Sequence, residues 1–306
     1  MLTSPLLCLL LCTLQGPPTP PPLPKDAAQP QTDAHSGLKP GAIPEGTTSE
    51  ARARYEALCA ATWPKDAVRK PILAFDVTLD VRVQQDGASN EALRPLRYRW
   101  SSPGFVRFTT ANERELLRGP KGDFLLDPAR KEVLPLIGRE LAEDRKQLEE
   151  WAKLSRNFVS LSDPSSLRLS SIRIVETAPR GLPASRRTDG LVWLGLSTPD
   201  FQMPERSGAK PTDATIVELG LDPKTMLPRL CVVSSFDGQR TVQRLLLACG
   251  AFRAQDGRMV PQEVALHMRN AQQESFEEKP SLEFWLKKNS SFEPKFDESV
   301  FLPPIR

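Results

Sequence analysis

Residues 73–83 read LAFDVTLDVRV. Every odd-numbered position carries a large apolar side chain, whereas the even positions carry alanine, aspartate, threonine and arginine. A helix would spread these apolar side chains around its circumference, but a strand places them all on one face. The stretch therefore predicts a long β-strand with one apolar and one polar face, as in an antiparallel sheet.

A second strand, Arg94–Trp100, is predicted to pair with the first across a turn at Asp86-Gly87. Closing the turn there pairs residues whose numbers sum to 173. Because side chains alternate along a strand, this or any other odd sum keeps the apolar sets of both strands on one face. The apolar pairs expected in this register are Leu73 with Trp100, Phe75 with Tyr98, and Val77 with Leu96.

Further strands are predicted on both sides of a long helix. Short strands separated by glycine and Asp-Pro turns fill residues 105–136, and seven more strands lie within residues 166–287. Two of their hairpin turns are expected at Asp237-Gly238 and Asp256-Gly257. These patterns predict a sheet of about ten or more antiparallel strands.

Two helices are predicted, a shorter one over Ser49–Ala61 with Ser49 as N-cap, and a long one over Arg139–Phe158. The apolar stripe of the long helix is formed by Leu148, Trp151, Leu154 and Phe158. Because helices do not alternate with strands, the chain is not a doubly wound α/β protein. The predicted fold class is α+β, a large, strongly curved antiparallel sheet with the helices on one face.

The first 48 residues predict two segments that precede the folded domain. Residues 1–16 contain an apolar run of signal-peptide length, too short to span a bilayer, although no lysine or arginine precedes it. Three readings stay open: export, a lipid anchor on Cys12, which follows a leucine rather than a small residue, and a cytoplasmic protein with an apolar start. Residues 17–48 are rich in proline and polar residues and predict a disordered linker. The folded domain is then expected over 49–306.

Charge and residue types argue against several classes of function. The 41 basic and 38 acidic residues are interspersed, which does not favour a nucleic-acid partner. The chain has two histidines, His35 in the linker and His267, which alternation places on the solvent side of a strand. Since CxxC, HExxH, Walker and GxGxxG motifs are missing from the sequence, we expect no metal, no cofactor and no enzymatic activity. The acidic cluster on the long helix is predicted to face solvent; it comprises Glu140, Glu143, Asp144, Glu149 and Glu150.

Three cysteines lie outside the leader, Cys59, Cys231 and Cys249. A hairpin closed at Asp237-Gly238 pairs residues whose numbers sum to 475, which places Cys231 opposite Arg244. The two cysteines of this hairpin are therefore not opposite each other, and we expect no disulfide between them.

The predicted sheet presents more apolar face than two helices can cover unless it curls. Burying one large apolar side chain contributes roughly 1.5–3 kcal/mol, so this face must be covered. Loose cover by a helix would leave an apolar cavity of lipid size, whereas side chains that fill the interior would leave none. Both alternatives stay open, while a hydrolase would need two inward-facing carboxylates, which the pattern does not supply.

Several motifs resemble those of one family over about residues 50–306. They are Arg97-Tyr98-Arg99-Trp100, SPGF at 102–105, GDFLLDP at 122–128, VELGLDPKTMLP at 217–228, VPQEV at 260–264, and Asn289 followed by Phe301-Leu302-Pro303-Pro304. Because these motifs occur in this order, the chain resembles the LolA/LolB-like superfamily of periplasmic lipoprotein carriers and sensors.

This resemblance implies an open, unclosed β-barrel with a helical lid that binds acyl chains in its apolar interior. It implies an exported protein of the periplasm or cell envelope, a monomer, with a lipid or lipid-modified protein as partner. The alternative is a structural or interaction protein of the cell envelope with a filled core. The candidate cavity residues under the first reading are Leu73, Phe75, Val77, Leu79, Tyr98, Trp100 and Trp151.

Overall fold

The computed structural model describes residues 38–63, 71–83, 93–102, 104–109, 113–186, 188–201, 215–236, 241–270 and 275–304. The predicted signal segment 1–16, with Cys12, and the predicted turns Asp86-Gly87 and Asp237-Gly238 lie outside the described residues. None of the described helices combines the length and the apolar character needed to cross a bilayer.

The described elements are two α-helices and sixteen strands. The helices are α1 (Ser49–Thr62) and α2 (Ala142–Ser162). The first group of strands is β1 (Ala74–Val83), β2 (Arg94–Ser101), β3 (Phe105–Thr109), β4 (Glu115–Gly119), β5 (Gly122–Asp127) and β6 (Glu132–Pro135). The second group is β7 (Ser171–Val175), β8 (Val192–Thr198), β9 (Thr215–Leu221), β10 (Pro228–Phe236), β11 (Thr241–Cys249), β12 (Phe252–Gln255), β13 (Arg258–Pro261), β14 (Glu263–Asn270), β15 (Ser275–Phe276) and β16 (Leu282–Leu286).

Fourteen of these strands form one antiparallel sheet, in the order β6-β5-β4-β3-β2-β1-β16-β14-β11-β10-β9-β8-β7, with β15 paired to β14. The last long strand, β16, joins the two halves of the chain because it pairs with β1 on one side and β14 on the other. The order begins at β6 and ends at β7, so the sheet is open. The fold class predicted from the sequence, a large unclosed antiparallel sheet with one long and one shorter helix, is confirmed.

The β1–β2 pairing confirms that the apolar side chains of both strands share one face, but its register differs from the predicted one. Phe75 lies opposite Trp100 and Val77 opposite Tyr98, so paired residue numbers sum to 175 rather than 173. The sum stays odd, and both apolar sets therefore share a face. Leu73 precedes the strand and is 61% exposed, so its predicted place in the interior is wrong. In the observed register β1 begins one residue later, at Ala74, opposite the last residue of β2.

Both helices form where the sequence places them, with shifted ends. Thr48, and not Ser49, is the N-cap of α1, because its hydroxyl accepts a hydrogen bond from the Ala51 backbone N–H at 3.3 Å. A 3₁₀ turn at Arg139–Leu141 delays the start of α2. The helix ends at Ser162, where Asp163 and a 3₁₀ turn that starts at Pro164 follow.

Hydrophobic cores lie on both faces of the sheet. The larger one joins α1 and α2 to the face that carries Phe75 and Val77, which we call the inner face. A smaller core on the outer face includes Trp193, Val232 and Leu246. The chain segment 176–191 packs against this second core through Ala178, Leu182 and Leu191.

The predicted linker contains residues that contact the domain. Pro40 forms a β-bridge with Arg168, and the Gly41 N–H donates to the Leu167 carbonyl at 2.9 Å. The domain boundary at residue 48 stays a prediction.

Cys59, Cys231 and Cys249 are buried, and no disulfide joins them. Cys231 lies opposite Leu247, so its predicted position opposite Arg244 is wrong, and an irregularity between Val233 and Ser234 shifts the register of this hairpin. Burial raises the pKa of Cys249 to about 12, which keeps its thiol protonated.

Candidate functional site

The inner face carries a column of aromatic rings. The ring of Phe75 lies 5.3 Å from that of Trp100 and 5.6 Å from that of Tyr98, measured between centroids. Two further rings, of Phe158 on α2 and of Phe292 near the C-terminus, lie 6.2 Å from Phe75. These distances are typical of attractive ring pairs, so this part of the interior is filled by side chains.

The structure brings six of the seven predicted cavity residues together and leaves Leu73 apart. Phe75, Val77, Leu79, Tyr98 and Trp100 are all buried in one core, and Trp151 is half-buried against it. The ring of Trp151 lies 5.5 Å from that of Tyr98. These residues therefore lie together in the inner core, whereas their contact with a ligand stays a prediction.

A polar contact ties α2 to the sheet inside this apolar surrounding. The Tyr98 hydroxyl donates to the Trp151 backbone carbonyl at 3.1 Å and contacts the Ser155 hydroxyl. Ser155 in turn donates to the same carbonyl at 2.6 Å. Burial raises the pKa of Tyr98 above its ordinary value of 10, so the hydroxyl keeps its proton.

The apolar stripe of α2 is only partly covered. Leu148 is fully buried, whereas Trp151, Leu154 and Phe158 are half-buried at the border of the inner core. The helix therefore buries the sheet-side rings of the aromatic column, while part of its own apolar stripe stays exposed to solvent.

A cleft of about 670 Å³ lies beside the aromatic column, between α2 and the strands β2 to β5. Its volume falls within the roughly 300–1,000 Å³ typical of ligand sites. Its walls combine two aromatic rings with charged and small residues: Trp100, Gly104, Phe105, Arg118, Gly119, Asp123, Glu149, Ala152, Lys153 and Arg156. The alternation of apolar and polar residues does not indicate this cleft, because its charged residues come from the polar face of α2 and from the β4–β5 hairpin.

Charges within the cleft are partly paired. Arg118 donates two hydrogen bonds to Asp123, at 2.9 and 2.8 Å. These bonds, and the nearby charge of Glu149, raise the pKa of Arg118. Among the described residues, Arg156 forms no ion pair. Glu149 lines the cleft and is half-buried, as are Asp144 and Glu150, whereas Glu140 and Glu143 of the same acidic cluster are exposed as predicted.

The indole N–H of Trp100 is buried and has no hydrogen-bond acceptor among the residues that the structure describes. The side chain is 7% exposed and forms part of the cleft wall. A buried donor left without an acceptor costs free energy. The nitrogen itself is inaccessible to solvent, so the N–H does not open into the cleft.

A buried arginine lies at another point of the inner core. The Arg258 guanidinium is fully buried and stacks 4.4 Å from the ring centroid of Trp63, at the end of α1. The Trp63 N–H donates to Asp163, at the end of α2, at 3.4 Å. Burial lowers the pKa of Arg258, while the carboxylates of Asp163 and Glu293 oppose that shift. These contacts join the C-terminal ends of α1 and α2 to the β12–β13 hairpin. The turn of this hairpin lies at Asp256-Gly257, as predicted.

His267 is fully buried, so its predicted place on a solvent-facing strand surface is wrong. It lies on the outer face, where the segment 176–191 and the residues after β15 cover it. Arg186 donates to its Nε2 from two guanidinium nitrogens, at 3.0 and 2.7 Å, and its Nδ1 lies 2.8 Å from the Glu277 carbonyl oxygen. Within the described part of the chain, no three of His, Cys, Asp and Glu come together as metal ligands.

Comparison with known proteins gives matches to solved structures alone, since no family model matches the chain and no curated protein matches its sequence. A LolA superfamily protein from Nitrosomonas europaea is 13% identical, over 83% of this chain and 97% of that chain, at a TM-score of 0.40. A DUF1329 family protein from Desulfovibrio piger is 12% identical, over 83% of this chain and 98% of that chain, at a TM-score of 0.39. The structures found thus include a member of the superfamily that the sequence motifs resemble. The fold class itself rests on the observed strand pairing.

Proposed function

We propose that the chain is an exported, non-enzymatic binding protein that holds a lipid, an acyl chain or a lipid-modified protein between the inner face and α2. One observation carries the proposal: α2 covers a continuous apolar sheet face with an apolar stripe that is itself only half-buried. A helix with such a stripe is suited to being displaced by a ligand, since part of its apolar surface faces solvent even while the helix lies on the sheet.

The ligand would take the place of side chains that belong to α2. Trp151 and Phe158 contribute rings to the aromatic column from the helix side, whereas Phe75 and Tyr98 contribute rings from the sheet. Withdrawal of α2 would remove the first pair and expose the second. Non-helical backbone at both ends of α2, the turn at Arg139–Leu141 and Asp163, provides the joints for such a movement. An acyl chain that enters gains about 0.8 kcal/mol for each buried CH₂ group, which offsets the lost ring contacts.

Mass spectrometry and a fluorescent probe test this proposal. We expect organic extraction of the purified protein to release acyl species, and the delipidated protein to take up an apolar fluorophore that palmitate displaces. Trp151→Ala should weaken probe binding by about threefold or more, as expected for the loss of an aromatic contact. The control Trp285→Ala removes a half-buried indole that stacks with Arg82 at 5.0 Å, away from α2, and should leave binding unchanged. Extracts without acyl species, together with no probe uptake, would contradict the proposal.

The second candidate is an interaction protein of the cell envelope with a filled interior. The ring contacts of Phe75 with its four aromatic neighbours favour it, because they leave no space on that part of the inner face. A saturating fatty acid would then leave the melting temperature unchanged, whereas a bound ligand raises it.

Export is part of the proposal and has its own test. N-terminal sequencing of the mature protein is expected to show cleavage after the apolar run within residues 1–16. A blocked N-terminus at Cys12 would instead identify a lipid anchor, and an intact Met1 would contradict export by this segment.

A further inference from the structure

We infer that the outer face of strands β1 to β4 binds a carboxylate from an acidic side chain of a partner protein, with Arg99 as its main contact. The site comprises Arg97, Arg99 and Arg107, which we call the arginine patch, and the two carboxylates that lie among them, Asp76 and Glu115. These side chains alternate with those of the inner face and therefore lie on the opposite side of the sheet from α2 and the aromatic column. The site is thus separate from the surface that the proposed function uses.

The strand register brings two arginines of the patch directly opposite each other. Arg99 on β2 pairs with Arg107 on β3, and Arg97 lies two residues from Arg99 on the same face of β2. Like charges in directly opposite positions destabilise a sheet. Burial lowers the pKa of Arg99, and the charges of Arg107 and Arg97 lower it further. The fold therefore holds three guanidinium groups together at a cost in free energy.

Both carboxylates of the site accept mainly from the other two arginines. Asp76 lies opposite Arg99 in the pairing of β1 with β2, yet it accepts from Arg97, at 3.0 and 2.6 Å. Glu115 accepts from Nε and Nη2 of Arg107, at 2.9 and 2.5 Å. Arg99 has one hydrogen bond among the described residues, from its Nη2 to Glu115 at 3.5 Å. Three cations therefore share two carboxylates, and Arg99 is the cation with the weakest pairing.

A single carboxylate fits this site better than a phosphate or a charged membrane. The three arginines and two carboxylates leave one positive charge to be compensated. A planar guanidinium matches the geometry of a carboxylate through two parallel hydrogen bonds. The Arg99 side chain is 14% exposed, so one protruding side chain reaches it more easily than a broad surface does. An anionic membrane would also bring its negative charges against Asp76 and Glu115.

Binding of two short peptides tests this site. The probes are Gly-Glu-Gly-Glu-Gly and Gly-Gln-Gly-Gln-Gly, both acetylated and amidated, which differ only in the charge of their side chains. We expect the full chain to bind the glutamate peptide about fivefold more tightly than the glutamine peptide at low salt, and added salt to reduce the difference. Arg99→Gln should abolish this preference, the loss expected for one charge-assisted contact at a partly exposed position.

Arg173→Gln provides the matched control for the change in net charge. Arg173 also lies on the outer face of a strand, in β7, and its guanidinium pairs with Glu218 at 3.2 Å. This variant should keep the preference for the glutamate peptide. Equal losses in Arg173→Gln and Arg99→Gln would assign the preference to net charge and overturn the site.

Urea unfolding separates a binding role of Arg99 from a structural one. Because Arg99 faces a like charge and has one long hydrogen bond, Arg99→Gln should leave the urea midpoint unchanged or raise it. Arg107→Gln should lower the midpoint, because Arg107 pairs closely with Glu115 and donates to the Val300 carbonyl at 3.0 Å. A midpoint that Arg99→Gln lowers as much as Arg107→Gln does, without a peptide preference in the unchanged chain, would make Arg99 a structural ion-pair residue and overturn the inference.

Two further probes test the assignment to a protein partner. Inorganic phosphate should displace the glutamate peptide only at concentrations well above those of the peptide, and vesicles of phosphatidylglycerol should bind the unchanged chain and Arg99→Gln equally. Displacement by phosphate at lower concentration than the peptide, or vesicle binding that depends on Arg99 without a peptide preference, would overturn the assignment to an acidic side chain. Failure of this site would leave acyl binding under α2 untouched, because the extraction and fluorophore experiments test that function on the other face.

Discussion

The imidazole of His267 has partners that fix its protonation. Arg186 can only donate, so the Nε2 atom it contacts carries no proton, and the proton lies on Nδ1, which donates to the Glu277 carbonyl. Burial, together with the charge of Arg186, lowers the pKa of His267 below its ordinary value of 6.5, against the opposing carboxylate of Glu278. Glu278 itself accepts from the backbone N–H groups of Ala184 and Ser185, at 2.7 and 3.3 Å. The neutral ring thus holds the segment 176–191 on the outer face.

Stability is therefore predicted to depend on pH through His267. In the unfolded chain the imidazole takes up a proton near pH 6.5, whereas the folded protein resists protonation until a lower pH. The stabilising contribution is complete above pH 6.5 and is lost as the pH falls from there through the lower folded pKa. Urea unfolding at pH 7.5 and pH 5.5 measures it, with His267→Gln expected to reduce the difference between the two free energies. An equal difference in the variant would assign the pH dependence to other groups.

At the scale of elements, the C-terminal segment holds the meander β2 to β6 in place. The 3₁₀ turn Glu298–Phe301 packs Phe301 against Leu117 and Leu126, and Arg107 donates to the Val300 carbonyl at 3.0 Å. Gly119, at the end of β4, leaves room for the Phe301 backbone, because a Cβ atom there would collide with the carbonyl oxygen of Phe301. The small residue therefore permits the close approach of two backbones.

Gly119→Ala is predicted to destabilise the fold by about 1–3 kcal/mol, the usual cost of overpacking a fixed contact. The matched variant Gly195→Ala, also in a strand, would meet side-chain atoms of Arg173 and Val175, which can move more easily than backbone. It should cost less. Urea unfolding of both variants gives the comparison, and limited proteolysis is expected to cleave the C-terminal segment faster in Gly119→Ala. Equal losses in the two variants would contradict the role of the Phe301 backbone.

At the scale of the whole molecule, the two halves of the sheet depend on each other through pairings distant in sequence. β16 lies between β1 and β14, so the first and last thirds of the chain form one surface. The chain before α1 also contributes, since Thr48 caps the helix and Pro40 pairs with Arg168. The domain is therefore expected to need residues that the sequence assigns to the linker.

Truncation tests this boundary. A chain that begins at residue 38 should have the unfolding free energy of the full chain. A chain that begins at Ser49 should be less stable by about 1–2 kcal/mol, because it lacks the Thr48 cap and the Pro40 bridge. Chemical unfolding of both chains measures the difference. Equal stability would place the boundary at 49, as the sequence composition predicts.

Local patterns were sufficient to predict the strand faces and the turn at Asp256-Gly257. Alternation from Phe75 to Val81 requires no distant partner, because the period of two belongs to the strand backbone. The turn at Asp256-Gly257 is equally local, since both residues adopt positive φ angles, 47° and 75°, as a two-residue hairpin turn of this kind requires. For the same reason the apolar members of the candidate site, Phe75, Tyr98 and Trp100, could be named in advance.

The register, the burial of polar groups and the cleft depend on contacts between segments that are distant in sequence. When the pairing of two strands shifts by two residues, the same side chains still share a face. Alternation therefore could not distinguish the predicted pairing from the observed one, in which Leu73 is exposed. His267 is buried because segments distant in sequence cover the outer face, and alternation within β14 contains no information about them. The cleft likewise exists because polar residues of α2 and of the β4–β5 hairpin, which are distant in sequence, line the same space. A strand's own pattern fixes which side chains share a face, whereas contacts between distant segments decide what that face meets.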